Sequence, residues 1–152
     1  MNIEKMEVKQ FHEKHGFAVG EKLRQIECDV TRIEVSHECK RLEWFAKSLI
    51  GDKDLAAQRV SLILEEAAEV CESLAKGDVV ELADGLADLI YVVIGTAVAY
   101  GLPISELFDE VHRSNMTKNV CDEPLLKGKT SKGAGYSPPN IRGILEKLGG
   151  LR

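Results

Sequence analysis

Residues 62–70 read LILEEAAEV, and twelve residues after Glu69 the stretch ELADGLADLIYVV begins. The first stretch carries Glu65, Glu66 and Glu69, the second Glu81, Asp84 and Asp88. Glu66 and Glu69 are three residues apart, as are Glu81 and Asp84, so on helices each pair projects from one face. Facing carboxylate pairs are hard oxygen donors. They suit Mg²⁺, which is held by one or two carboxylates and completes its shell with water and substrate phosphates. The plain alternative is the solvated acidic side of two amphipathic helices.

The elements that position these residues are well punctuated. Asp54 is an N-cap for a helix over 55–76, which Gly77 ends. Asp78 caps a second helix over 78–100, which Gly101 ends. The Gly77-Asp78 connection makes the two helices antiparallel neighbours. At ~100° per residue the first helix places Val60, Leu64, Ala67, Val70, Cys71 and Leu74 on one side, and Glu65, Glu66, Glu69 and Glu72 on the other. Taken alone, that is an amphipathic surface helix. The second is apolar nearly all round, and its three carboxylates share a stripe roughly 60° wide. A helix apolar all round is expected to be buried, and buried carboxylates need a positive partner. Only Arg59 and Lys76 are basic between 54 and 110. A divalent cation answers the charge. Rival metal chemistries fit less well: Glu34-Val-Ser-His37 is a lone Glu-x-x-His far from the acidic pairs, and His12 and His15 are too close for HExxH.

Around this pair the sequence predicts a helix over 3–15, ended by Gly16. A helical pattern follows from Glu21 through Leu23, Ile26, Val30 and Ile33, continuing to Leu49 and broken at Gly51-Asp52. Pro103 opens a short helix running to about Arg113, and IRGILEKL forms the last one. No strand is expected. The chain reads as an all-α helical bundle forming one domain over 1–152, with an extra helical segment at 21–53 and a basic loop tail at 114–140.

The 152 residues are 44% hydrophobic and 30% charged, as in an ordinary globular domain. MNIEKMEVKQ lacks the apolar core of a secretory signal. The uncharged apolar stretch Leu89–Leu102 is short for a bilayer. Cys28, Cys39, Cys71 and Cys121 show no metal spacing and read as free thiols in a reducing cytoplasm, with Cys71 in the core. Residues 1–110 carry 12 Lys+Arg against 22 Asp+Glu, and residues 111–152 carry 8 against 3. An acidic body argues against nucleic-acid polymers as partners. The basic tail offers His112, Arg113, Asn115, Lys118, Lys127, Lys129, Lys132 and Tyr136. It is either a solvated tail or, with its lysines among glycines, a phosphate clamp. Trp44 and Tyr136 are aromatic enough to stack on a base but serve equally as packing residues, and Trp44-Phe45 reads as core or dimer interface.

The EExxE of Glu65, Glu66 and Glu69, followed by the ExxD of Glu81 and Asp84, resembles the MazG-like all-α nucleoside triphosphate pyrophosphohydrolases. Their superfamily includes the dimeric dUTPases and phosphoribosyl-ATP pyrophosphohydrolase. FHEKHGFAVGE, LADLIYVVIGTAVAYGL and EVHRSNMTK extend the likeness over roughly residues 7–20 and 54–148. The resemblance implies a house-cleaning type of hydrolysis of an NTP or dNTP between the α and β phosphates, with Mg²⁺ replaceable by Mn²⁺, in a homodimer or homotetramer. It implies Glu66, Glu69, Glu81 and Asp84 as metal ligands and Glu65 or Glu66 as the catalytic group that orients water. It further implies Asn115 and Lys118, with Lys129 and Lys132, as substrate-phosphate contacts. A non-catalytic acidic bundle that binds a partner protein and a nucleotide-binding regulator are the competing readings.

Overall fold

The computed structural model describes residues 2–26, 32–120 and 129–149. Among them lie helices α1 (Asn2–His15), α2 (Arg32–Ser48), α3 (Leu55–Lys76), α4 (Val79–Tyr100), α5 (Ile104–Asn115) and α6 (Ile141–Lys147). Two minimal strands, β1 (Asn119–Val120) and β2 (Thr130–Ser131), complete the list. The protein is all-α, and its contacts divide it into two compact units, 23–101 and 1–22 with 102–152.

The first unit is α2, α3 and α4, with α3 packed against both others. Its helix ends follow the punctuation of the sequence. The Asp54 carboxylate accepts from the Ala56 N–H at 3.2 Å. Gly77 ends α3 in the left-handed region at φ +77°, and the Asp78 carboxylate accepts from the N–H groups of Val80 and Glu81 at 2.9 and 3.1 Å. The turn thus satisfies orphan groups of both helices and sets them antiparallel.

Small residues bring the helices close. Cys39 and Ala46 of α2, Ala68 and Ala75 of α3, and Ala97 of α4 are the buried apolar residues. The Ser61 hydroxyl donates to the Ala46 carbonyl at 2.8 Å, joining α3 to α2. A Cβ added to Gly85 would stand 3.2 Å from Val70 Cγ2, and one added to Gly95 would stand 3.6 Å from an Arg59 guanidinium nitrogen. These two contacts fix the register. Residue numbers facing each other across α3 and α4 add up to about the same value, so Glu66 lies level with Asp88.

Two expectations fail here. The helical pattern from Glu21 is not realised over 21–26, which is irregular. Leu23 is 82% exposed whereas Ile26 is half-buried, so nothing covers the start of the stripe that periodicity alone implied; Val30 lies outside the described residues. The face of α3 expected to be core is realised only in part: Leu64, Ala67 and Val70 are half-buried. Cys71, Leu74 and Val60 are exposed, whereas Ser61, Ala68, Ser73 and Ala75 are buried, because α3 is contacted by two helices and both approach over its small side chains. Trp44 and Phe45 are exposed too and are no part of this chain's core. Cys28 and Cys121 lie outside the described residues.

In the second unit α1 packs on α5, and α5 on α6. The strands β1 and β2 pair antiparallel, Asn119 with Ser131 and Val120 with Thr130. Strands of two residues carry no alternation for a sequence to display, so none was expected. Arg113 of α5 holds Glu110 through two bonds of 2.8 Å and also donates to the Ser137 hydroxyl and the Pro138 carbonyl. Glu110 accepts a third bond from the Asn140 N–H at 2.7 Å. Arg113 and this backbone donor hold the Glu110 carboxyl down to about 2.

The close approach at Gly85 gives the first prediction. Gly85→Val should destabilise the protein by about 1–3 kcal/mol, the usual cost of overpacking, read as a lower urea midpoint. An unchanged midpoint would show that α3 and α4 do not depend on this contact.

Candidate functional site

The register of α3 and α4 gathers the acidic residues. Glu66 is pushed up from the ordinary carboxyl range first by desolvation and then by the charges of Glu69, Asp88, Glu65 and Asp84. Glu69 is pushed up by desolvation and then by Glu65, Glu43, Asp88 and Glu81. Like charges from three helices therefore act on two carboxyls of α3. No ion pair between described residues reaches Glu65, Glu66, Glu69, Glu81, Asp84 or Asp88. A cavity of about 250 Å³ opens beside them, lined by Glu43, Glu65, Glu69, Glu72 and Glu81. Lys47 and Lys76 border it, each paired along its own helix, with Glu43 at 3.8 Å and Glu72 at 3.2 Å.

The setting differs from the one expected. α4 is not buried within this chain: Val80, Tyr91 and Val98 are 74%, 80% and 76% exposed. Glu81, Asp84, Asp88 and Glu69 are exposed, while Glu65 and Glu66 are half-buried. An apolar composition states that a helix avoids water, not that its own chain supplies the cover. Among the described residues no three His, Cys, Asp or Glu side chains are gathered closely enough to share one ion. The chemistry of the donor set nevertheless fits a hard divalent cation. The six carboxylates at Glu65, Glu66, Glu69, Glu81, Asp84 and Asp88 are hard oxygen donors without an ion pair between described residues, and they repel one another.

The structure brings together all five predicted acidic residues, Glu65, Glu66, Glu69, Glu81 and Asp84, with Asp88, read on the same stripe but not among the implied ligands, and with Glu43, which was missed. Asp88 acts on both Glu66 and Glu69. It is four residues beyond Asp84 on the same stripe, outside the three-residue spacing of the two acidic pairs. Glu43 acts on Glu69 from α2, and nothing local in the sequence marked it.

In the other unit, Asn115 and Lys118 are half-buried at and just beyond the end of α5, and Lys129 is exposed. The Lys132 ammonium stands 5.0 Å from the centre of the Tyr136 ring, a cation–π distance. Arg113 is committed to Glu110 and the 137–138 backbone. Lys127 lies outside the described residues.

The raised carboxyls predict a pH dependence. A carboxyl that holds its proton more tightly when folded makes stability fall as pH rises through its titration. The metal-free protein should therefore lose stability from about pH 4 upward on account of Glu66 and Glu69. Glu66→Gln or Glu69→Gln should raise the metal-free melting temperature at pH 8 by a few degrees and flatten its pH profile. Calorimetry in a chelator reads both, and a fall at pH 8 would contradict the mutual repulsion.

The sequence pattern of the phosphoribosyl-ATP pyrophosphohydrolase family matches residues 38–115. The matched span starts within α2 and contains the whole acidic cluster, including Glu43 and Asp88. Neither a curated protein nor a solved structure matches the chain. With just over half of its 152 residues matched, the chain belongs to the phosphoribosyl-ATP pyrophosphohydrolase family, a hydrolase family of the MazG-like nucleoside triphosphate pyrophosphohydrolase superfamily.

Proposed function

We propose that the chain is a Mg²⁺-dependent pyrophosphohydrolase that cleaves an NTP or dNTP between the α and β phosphates, giving a nucleoside monophosphate and pyrophosphate in the cytoplasm. The observation that carries this reading is the convergence of uncompensated carboxylates around Glu66 and Glu69 in a chain of this family. Glu66, Glu69, Glu81 and Asp84 would hold Mg²⁺ or Mn²⁺, and the structure gives reason to add Asp88. When bound, the ion neutralises the phosphate chain and makes water easier to deprotonate. Glu65 or Glu66 accepts the proton of the attacking water at a carboxylate oxygen. That water forms a new bond to the α phosphorus as the bond to the bridging oxygen breaks. Asn115 and Lys118, with Lys129 and Lys132, are the residues proposed to hold phosphate oxygens.

Glu69→Gln and Asp84→Asn should each lower pyrophosphate release at least about 100-fold, a loss in the range of removing charge stabilisation at the reacting centre. Asp88→Asn should do the same. A panel of nucleotides with Mg²⁺, products resolved by chromatography, reads the effect, and near-normal turnover in the first two variants would refute the assignment. Binding of Mg²⁺ and nucleotide by calorimetry without any pyrophosphate would favour the nucleotide-binding regulator instead.

We also propose that a second copy of the chain covers α4. Val80, Asp84, Ala87, Tyr91, Ile94 and Val98 recur at alternating steps of four and three, the spacing of a helix–helix seam. The stripe is turned from Gly85, which is buried against Val70 of α3. Of the eight large apolar residues exposed on α4, Val80, Tyr91, Ile94 and Val98 lie on this stripe and the others widen the apolar surface around it, an exposure that marks an interaction surface. Val79–Tyr100 is also long and apolar enough to cross a membrane, with a mean hydropathy of 1.7. Glu81, Asp84 and Asp88 would weigh heavily against that placement. Sedimentation should give a dimer, or a tetramer built from dimers, and Tyr91→Lys with Val98→Lys should give monomers. A monomeric wild type would refute the pairing.

A further inference from the structure

The end of α1 and the segment after α5 meet through two side chains. The Lys14 ammonium donates to the Met116 carbonyl. His15 Nε2 lies 3.0 Å from the Lys118 carbonyl. His15 is buried, and its Nδ1 is 2.9 Å from the Phe11 carbonyl one turn back along α1. The Phe11 ring, with its centre 4.3 Å from that of His15, fixes the imidazole's place. Carbonyls just past a helix C-terminus lack intrahelical partners and favour positive groups. A neutral imidazole carries a single N–H and satisfies one of the two carbonyls, whereas the imidazolium donates to both.

These two contacts border a cavity of about 610 Å³. Lys14, His15, Thr117, Lys118 and Asn119 line it, and among the described residues no acidic one does. The bound carbonyls, of Met116 and Lys118, bracket Thr117, whose hydroxyl donates to the Ser114 carbonyl at 2.7 Å and accepts from the Ser137 N–H at 2.9 Å. The backbone between Asn115 and Lys118 is therefore fixed from α1 on one side and from residue 137 on the other.

We propose that His15, donating through Nε2 to the Lys118 carbonyl and assisted by Lys14, is a positioning residue that holds residues 115–118 in the conformation presenting Asn115 and Lys118 to phosphate oxygens. The phosphate role rests on the function proposed above; the tether does not. His15 touches backbone rather than ligand. Its removal should loosen ligand binding and leave the chemical step largely intact.

The test uses the whole chain. Long-range nitrogen-15 correlation should show a proton on His15 Nε2; a bare Nε2 overturns the tether. Inorganic pyrophosphate, titrated in a chelator to silence any metal site, should shift the backbone amides of 115–119. His15→Ala should weaken that binding about tenfold, the worth of one hydrogen bond. His15→Gln, whose amide can donate to the same carbonyl, should recover part of it. With nucleotide, the same loss should appear in KM while kcat stays within about threefold. If His15→Ala binds pyrophosphate as the wild type does, if His15→Gln recovers nothing, or if those amides do not move in the wild type, the inference is wrong. Should His15→Ala fail to fold, Lys14→Ala at an exposed position carries the same comparison. A wild type that hydrolyses no nucleotide yet binds pyrophosphate here sinks the proposed function and spares the tether. Intact hydrolysis with His15→Ala unaltered in binding does the reverse.

Discussion

Mutual repulsion among carboxylates held on packed helices is the constraint from which the rest of the unit at 23–101 is best understood. Glu66 and Glu69 are disfavoured as anions by partial desolvation and by neighbours on three helices. Relaxation would need α3 and α4 to slip or part. The Gly77-Asp78 turn anchors one end of the pair through bonds to both helices, and the contact at Gly85 leaves no room to slide past Val70. Packing of small residues therefore sustains an arrangement that electrostatics alone opposes. In the proposed function, a site held in this way would be ready for a cation before the cation arrives, because the cost of assembling the charges is met by the fold.

The legible parts of this architecture were those written in local chemistry. Asp54, Gly77, Asp78 and Gly101 each act through their own backbone neighbours, so the ends of α3 and α4 follow directly from residue type. The illegible parts depend on what a residue meets at a distance. Periodicity could not tell which face of α3 would be covered, because α2 and α4 both choose its small residues. Glu43 joins the cluster only through the packing of α2 on α3. The failure at 21–26 has the same origin, since periodicity cannot say that Leu23 would meet only solvent.

The unit formed by 1–22 and 102–152 shows a different limit of sequence reading. A tail rich in Lys, Arg and Gly suggested cations held ready for phosphate, yet several have local duties. Arg113 is saturated by Glu110, Ser137 and Pro138, and Lys132 rests over Tyr136. The residues that order the 115–118 segment, Lys14 and His15, lie about a hundred positions earlier. Their meeting with it is a tertiary contact that no local spacing encodes.

The exposure of α4 brings the two halves of the sequence argument together. Its apolar character implies desolvated carboxylates, yet within one chain Glu81, Asp84 and Asp88 are exposed. Asp84, however, belongs to the same seam as Tyr91, Ile94 and Val98, and Glu81 and Asp88 flank it. In the proposed pair, the partner helix would remove water from this seam and lower the dielectric around the acidic stripe. Coulombic interactions strengthen as water leaves, so covering α4 would deepen the repulsion and with it the attraction for a divalent ion. Pairing of chains and binding of metal are then linked thermodynamically: divalent cation should tighten the dimer, and dimerisation should tighten the cation, each by the same factor.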